Sequence, residues 1–269
     1  MPQPYLCSMK VHTEADEQKI RIGAVSYLNT KPLVYGLEKG MMKDEVELQY
    51  DYPGNIAQAL LDNTIDVGLV PVAVIPDMKE HHLVADYCIA ADGPVASVCL
   101  FSEVPLNEIS TVLLDYQSRT SVLLVQYLLK EYWKVEPLFK KAGVDFIKEI
   151  KGNTAAVVIG DRAFKQRKIS PYIYDLAEAW KDHTGLPFVF AAWVSNKPLP
   201  DHFITSFNKA NEYGLQRLDD VIKENPYTEF DLKKYYTQHV LYRLDDNKRK
   251  GLQKFLAWCH HKKQSNVLA

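Results

Sequence analysis

The chain has 269 residues, of which 47% are hydrophobic and 25% charged, with a formal net charge of −2. That length and apolar content suit one large domain or two medium ones around a buried core, and the interspersed charge signs exclude the basic face that a nucleic-acid backbone needs. Four scattered cysteines without a CxxC pair, and histidines that occur as adjacent pairs (His81–His82, His260–His261) facing different ways, exclude a metal site, and no run of about twenty apolar residues spans a membrane.

Residues 1–19 hold no apolar stretch of the kind a secretory signal needs, so they read as a flexible extension of a cytoplasmic protein. Ile20–Val25 (IRIGAV) is a short β-branched run suited to a buried parallel strand. Asn29 or Thr30 offers an N-cap, Pro32 suits a first turn and Gly40 a stop, so a helix follows. Residues 46–50 alternate as a strand, 55–61 read as a helix and 66–70 as a third strand. This βαβαβ order predicts an α/β fold with an open, mostly parallel sheet flanked by helices.

The alternation breaks at 83–90 and 95–101, which are both strand-like with no helix between them. A second α/β unit starts with a strand at 111–115. It continues with an amphipathic helix, capped by the run 118–121 (SRTS) and running to 129, and with strands at 145–150 and 155–160. Residues 187–194 form an apolar run long enough to cross between lobes, and helices follow at 202–223, 229–236 and 245–262. The expected organisation is one lobe from 20–95 and 195–269, with a second lobe, 96–194, inserted into it. Crossings at 95–101 and 189–194 would form the hinge of a cleft that closes on a small anion.

Ligands of open α/β sheets bind beyond the carboxyl ends of strands, at helix N-termini. That rule selects Ser26, Tyr27, Asn29 and Thr30 after the first strand, and Val70 and Pro71 at the end of the third. It also selects Gly93 before the hinge strand carrying Ser97, then Ser118, Arg119, Thr120 and Ser121, and finally Gly160 and Asp161. Hydroxyls and N–H groups beside a guanidinium suit a carboxylate or phosphate, and an ordinary N-cap is the competing reading of the same run. On spacing alone Asn29 reads first as a helix cap, Asp161 as a cap or turn residue, and Ser97 as a strand hydroxyl. The sequence has no Gly-rich phosphate loop, nucleophile elbow or paired carboxylates.

The run at 22–33 (IGAVSYLNTKPL) resembles the opening of the chorismate dehydratases, enzymes of the futalosine route to menaquinone. Residues 66–72 (DVGLVPV), 93–98 (GPVASV), 118–121 (SRTS) and 159–161 (IGD) match further segments of that family in the right order. Each motif is weak alone and specific together, and the resemblance covers 20–225, leaving out the helical tail. It implies a two-lobed fold similar to type II periplasmic binding proteins and the dehydration of chorismate to 3-[(1-carboxyvinyl)oxy]benzoate. It also implies that Asn29 and Ser97 lie near the reacting ring as catalytic residues. A sister family, the 1,4-dihydroxy-6-naphthoate synthases, shares the fold and pathway, but its first motif reads as a Ser-Thr-Cys-Pro-Asn-Asp run that this sequence does not match.

Losing water aromatises the ring, and removing the proton on the ether-bearing carbon spreads charge into the ring carboxylate. Preorganised donors in a dry cleft would stabilise that charge. Ser118, Arg119 and Thr120 are expected to hold one carboxylate, and Asn29 and Ser97 to orient the ring or the leaving hydroxyl. Nothing in the sequence aims a protein base at the cleft, His183 included; the proton acceptor is left open between a protein group and the enolpyruvyl carboxylate itself, folded over the ring. No metal or organic cofactor is expected, and the partner is the small-molecule substrate, bound by a monomer or homodimer. The alternative class is a non-enzymatic cytoplasmic small-anion binding module, which the fold alone would favour. The basic run 248–263 reads as a solvated helix face and is the one feature in favour of a partner-binding arm.

Overall fold

The structure, a computed structural model, describes residues 19–115 and 117–267, so the N-terminal extension lies outside the described residues except for Lys19. β1 (Ile20–Val25), α1 (Lys31–Glu38), β2 (Val46–Asp51), α2 (Pro53–Leu61) and β3 (Val67–Pro71) follow the βαβαβ order read from the sequence, and β4 (His82–Ala91) comes next. The second group holds β5 (Val98–Ser102), β6 (Thr111–Leu114), α3 (Arg119–Tyr127), β7 (Leu138–Lys141), β8 (Thr154–Ile159), α4 (Asp161–Gln166), β9 (Tyr172–Asp175) and α5 (Leu176–Thr184). The chain then returns through β10 (Phe188–Ser195), α6 (Asp201–Leu215), α7 (Leu218–Glu224), α8 (Leu232–Lys234), β11 (Leu241–Arg243) and α9 (Asp246–Val267).

Two mixed sheets result, one ordered β11-β4-β10-β3-β1-β2 and the other β7-β6-β8-β5-β9. β1 pairs in parallel with β2 and β3, and its Ile22 and Ala24 are fully buried, as a strand covered on both faces requires. α1 and α6 approach so closely that a Cβ on Gly36 would lie 2.3 Å from the Ala210 carbonyl oxygen, and one on Gly214 2.0 Å from that of Pro32. Only glycine fits either position.

The apolar run 187–194, expected to cross between lobes, is a central strand of the first sheet, antiparallel to both β3 and β4. Burial on both faces makes such a strand apolar throughout, which from sequence looks the same as a crossing. The chain instead crosses in the irregular connections 92–97 and 185–187. Ser97 accordingly precedes β5 rather than standing on it. Residues 145–150 are not a strand but carry the single turn Phe146–Glu149, whose buried Phe146 joins Cys99, Phe101 and Val158 in a second small core. The long helix read at 202–223 breaks into α6 and α7, and 229–236 shortens to α8 followed by the wide turn Tyr235–His239. Among the described residues no helix is long and apolar enough to cross a membrane.

Candidate active site between the two sheets

Val25 at the end of β1, Pro71 at the end of β3, Ser118 after β6 and Ile159 at the end of β8 all line one cleft. After β1 the chain makes a single turn, Leu28–Thr30, into α1. Both of its backbone groups at Leu28 are held: the Tyr236 phenol donates to the Leu28 carbonyl (3.0 Å), and the Leu28 N–H donates to the Asp161 carboxyl (3.3 Å). The turn leaves Tyr27, Asn29 and Thr30 on the cleft wall.

Ser97 ends the loop 92–97, where Ala96 adopts φ +64, a left-handed conformation uncommon for a residue with a Cβ. Asp175 holds that turn. Its carboxyl accepts the N–H groups of Val95 (3.1 Å) and Ala96 (2.7 Å), and those of Ala177 and Glu178 at the start of α5. Burial pushes the Asp175 carboxyl up, while these four donors favour its charged form. Ser97 is fully buried, its carbonyl accepts the Gly160 N–H (2.9 Å), and its hydroxyl accepts the Tyr235 phenol proton (2.7 Å).

Ser118 caps α3: its Oγ accepts the Ser121 N–H (3.0 Å) and donates to the Ser121 hydroxyl (2.9 Å). Ser118, Thr120 and Ser121 also line the cleft, so the cap and the site are one structure. Arg119 is directed elsewhere, because neighbouring helical side chains diverge. Its guanidinium pairs with Asp77 at 3.6 Å, outside the cleft. Gly160, at φ +65, packs on the Tyr27 ring, and a Cβ there would lie 3.2 Å from three ring carbons. Asp161 faces Leu28 rather than the cleft. Burial pushes its carboxyl up to about 6, against the Leu28 N–H, Arg162 and Lys31.

Of the residues expected at the site, Tyr27, Asn29, Thr30, Pro71, Ser97, Ser118, Thr120, Ser121 and Gly160 line the cleft. The other five do not. Ser26 is exposed beside it, Val70 is buried on the opposite face of β3 from Leu69 and Pro71, and Gly93 (φ +120) shapes the loop before Ser97 with open space around it. Arg119 and Asp161 support neighbouring structure. Sequence reasoning missed the apolar wall of Leu69, Ile89, Phe190 and Ala191. It also missed three tyrosines from the C-terminal segment. Tyr227 donates to the Asp161 carbonyl (2.9 Å), Tyr236 to that of Leu28, and Tyr235 to Ser97.

None of the described residues lining the cleft carries a full charge. The positive ends of α1 and α3 supply the electrostatics instead, since their first turns begin at Thr30 and Ser118 on the cleft wall. Contacts between the lobes hold the cleft closed: the Tyr27 phenol donates to Gln117 Oε1, and the Ala73 N–H donates to Thr120 Oγ1 (3.2 Å). No group of three His, Cys, Asp or Glu side chains among the described residues is placed to hold a metal ion.

Two α/β lobes around one small-molecule cleft define a periplasmic-binding-protein-like fold of type II. Solved structures of this kind include a protein from Archaeoglobus fulgidus, with a TM-score of 0.73 and 13% identity over 93% of this chain and 100% of that one. The aliphatic sulphonate binding protein of Escherichia coli has a TM-score of 0.59 and 14% identity over 91% and 93%. The chain belongs to the menaquinone biosynthesis family, whose sequence profile matches residues 20–261. A chorismate dehydratase of Thermus thermophilus is 27% identical over 260 residues, covering 87% of this chain and 93% of that protein. One from Campylobacter jejuni is 23% identical over 245 residues, covering 88% and 96%. The family match runs past 225, where the recognisable motifs end, and takes in the segment that carries Tyr235.

Proposed function

We propose that the protein is a chorismate dehydratase, a hydro-lyase of the cytoplasm that eliminates water from chorismate to give 3-[(1-carboxyvinyl)oxy]benzoate. The observation that carries this reading is the cleft wall. It brings Asn29 and Ser97 together with the hydroxyls and helix start of Ser118–Ser121, and among the described residues it contains no charged side chain. A dicarboxylate entering that cleft meets oriented N–H and O–H donors rather than a counter-ion.

In the proposed reaction the enolpyruvyl carboxylate, folded over the ring, takes the proton from the ether-bearing carbon. The C–H electron pair moves through the ring diene into the ring carboxylate, which the α3 N-terminus and the Thr120 and Ser121 hydroxyls stabilise, the Ser118 proton being held by Ser121. The pair then returns and expels the neighbouring hydroxyl, which leaves with a proton as water, and the ring becomes aromatic. Holding acid, base and leaving group in one geometry supplies on the order of 7–11 kcal/mol in favourable cases. Asn29 and Ser97 orient the ring and the leaving hydroxyl, and the Tyr27–Gln117 and Ala73–Thr120 contacts exclude water. Substrate enters as the lobes open about 92–97 and 185–187.

The test is to mix the protein with chorismate and follow products by liquid chromatography and mass spectrometry. A species lighter by one water, formed faster than in buffer, supports the reading. Asn29→Ala and Ser97→Ala should lower kcat more than they raise KM, and near-wild-type turnover in both would remove those assignments. Unchanged chorismate with clear thermal stabilisation would favour a binding module, the reading to which the sulphonate-binding fold lends support.

A further inference from the structure

We infer that Tyr235 is a positioning residue that sets the direction of hydrogen bonding at Ser97, an inference that rests on the chorismate reading. Tyr235 stands in the wide turn after α8, 138 residues from Ser97 in sequence. Its ring is 1% exposed and packs edge-on against Phe164, with centroids 5.0 Å apart, and against Phe230, 6.1 Å away. Lys168 pairs with Glu229 at 2.7 Å and His239 Nδ1 meets the Pro94 carbonyl at 2.8 Å, so the segment is anchored on both sides of the tyrosine.

A phenol has one proton to donate and lone pairs to accept with. Here the proton goes to Ser97 Oγ at 2.7 Å.

The Ser97 N–H is taken by the Val95 carbonyl (2.8 Å) and its carbonyl by the Gly160 N–H (2.9 Å). With Oγ accepting from Tyr235, the hydroxyl's own proton is the group left to face the cleft. The polarity therefore runs from Tyr235 through Ser97 and on to the ligand. That direction suits the reaction, because a departing hydroxide needs a donor and a serine turned the other way would present only a lone pair. Hydrogen bonds aligned in one sense also strengthen one another. Burial, with Asp161 and Tyr236 nearby, pushes the Tyr235 phenol well above the ordinary tyrosine range, so it keeps its proton and aligns Ser97 without acting as an acid.

Tyr235→Phe removes only the phenol oxygen and keeps the ring packing. Turnover of chorismate is measured at saturation and at low substrate, normalised to folded protein by circular dichroism. The expected result is a kcat lower by about 10- to 100-fold with KM changed by less than about threefold, as for a misdirected group at the reacting centre. In a Ser97→Ala background the same substitution should change kcat by less than about twofold, because the group it aligns is gone. Equal losses in the two backgrounds, or wild-type kcat in Tyr235→Phe, would overturn the inference. Wild-type protein that leaves chorismate unchanged would bring down the dehydratase reading itself, and the inference with it.

Discussion

The sharpest quantitative test concerns Asp161, where the start of α4 meets the turn after β1. Its carboxyl has an ordinary value of 3.8 and is pushed up to about 6, chiefly by burial. A folded-state value above the unfolded one means that the folded protein binds this proton more tightly. Its contribution to stability is therefore fully present below the unfolded value of 3.8 and is lost as pH rises through about 6. A rise from 3.8 to about 6 corresponds to about 3 kcal/mol. Residual solvent access at Asp161 screens this to ~1–2 kcal/mol. Asp161→Asn keeps the shape and an acceptor for the Leu28 N–H but cannot ionise. The variant is expected to be more stable than wild type by ~1–2 kcal/mol above about pH 7, with the difference shrinking as pH falls toward 4. Urea unfolding of both proteins at several pH values measures it. A difference that stays constant across that range would refute the assignment of the raised pKa to Asp161.

Three further substitutions test the geometry. Arg119→Ala should leave kcat and KM within about twofold and stability within about 0.5 kcal/mol, because its guanidinium pairs with Asp77 outside the cleft; a large rise in KM would place it on the substrate. Asp175→Ala leaves two backbone N–H groups of the Ala96 turn and two at the start of α5 without their acceptor and should cost about 3 kcal/mol or more, read from the shift in denaturation midpoint. Gly160→Ala puts a Cβ against the Tyr27 ring at positive φ, and should lose about 1–2 kcal/mol of stability and raise KM, measured by melting and steady-state kinetics.

The parts of this molecule that the sequence made legible are those governed by local rules. The βαβαβ order of the first sheet follows from β-branched runs, proline at helix starts and short spacings, and the Ser118 cap forms as its hydroxyl chemistry requires. Distant partners leave no such trace. Nothing within residues 188–195 tells a central strand from a crossing, since both are apolar and the distinction lies in β3 and β4 on either side. Tyr235 and Tyr236 lie in a segment that reads only as a helix, and their role depends on Ser97 and Leu28, each more than a hundred residues away.

Arg119 was misread for a different reason. A guanidinium beside an N-cap is the obvious partner for a carboxylate, and only the helix geometry shows that it faces Asp77. Its exclusion bears on the chemistry. A cation beside the enolpyruvyl carboxylate would lower that group's proton affinity and weaken it as a base. Helix N-termini and hydroxyls deliver smaller partial charges, aimed at fixed points. They can hold the ring carboxylate, where charge accumulates, without taking basicity from the other one. In the proposed reaction, a cleft wall without charged side chains among the described residues is what an elimination that borrows its base from the substrate requires, and the outward turn of Arg119 accords with it.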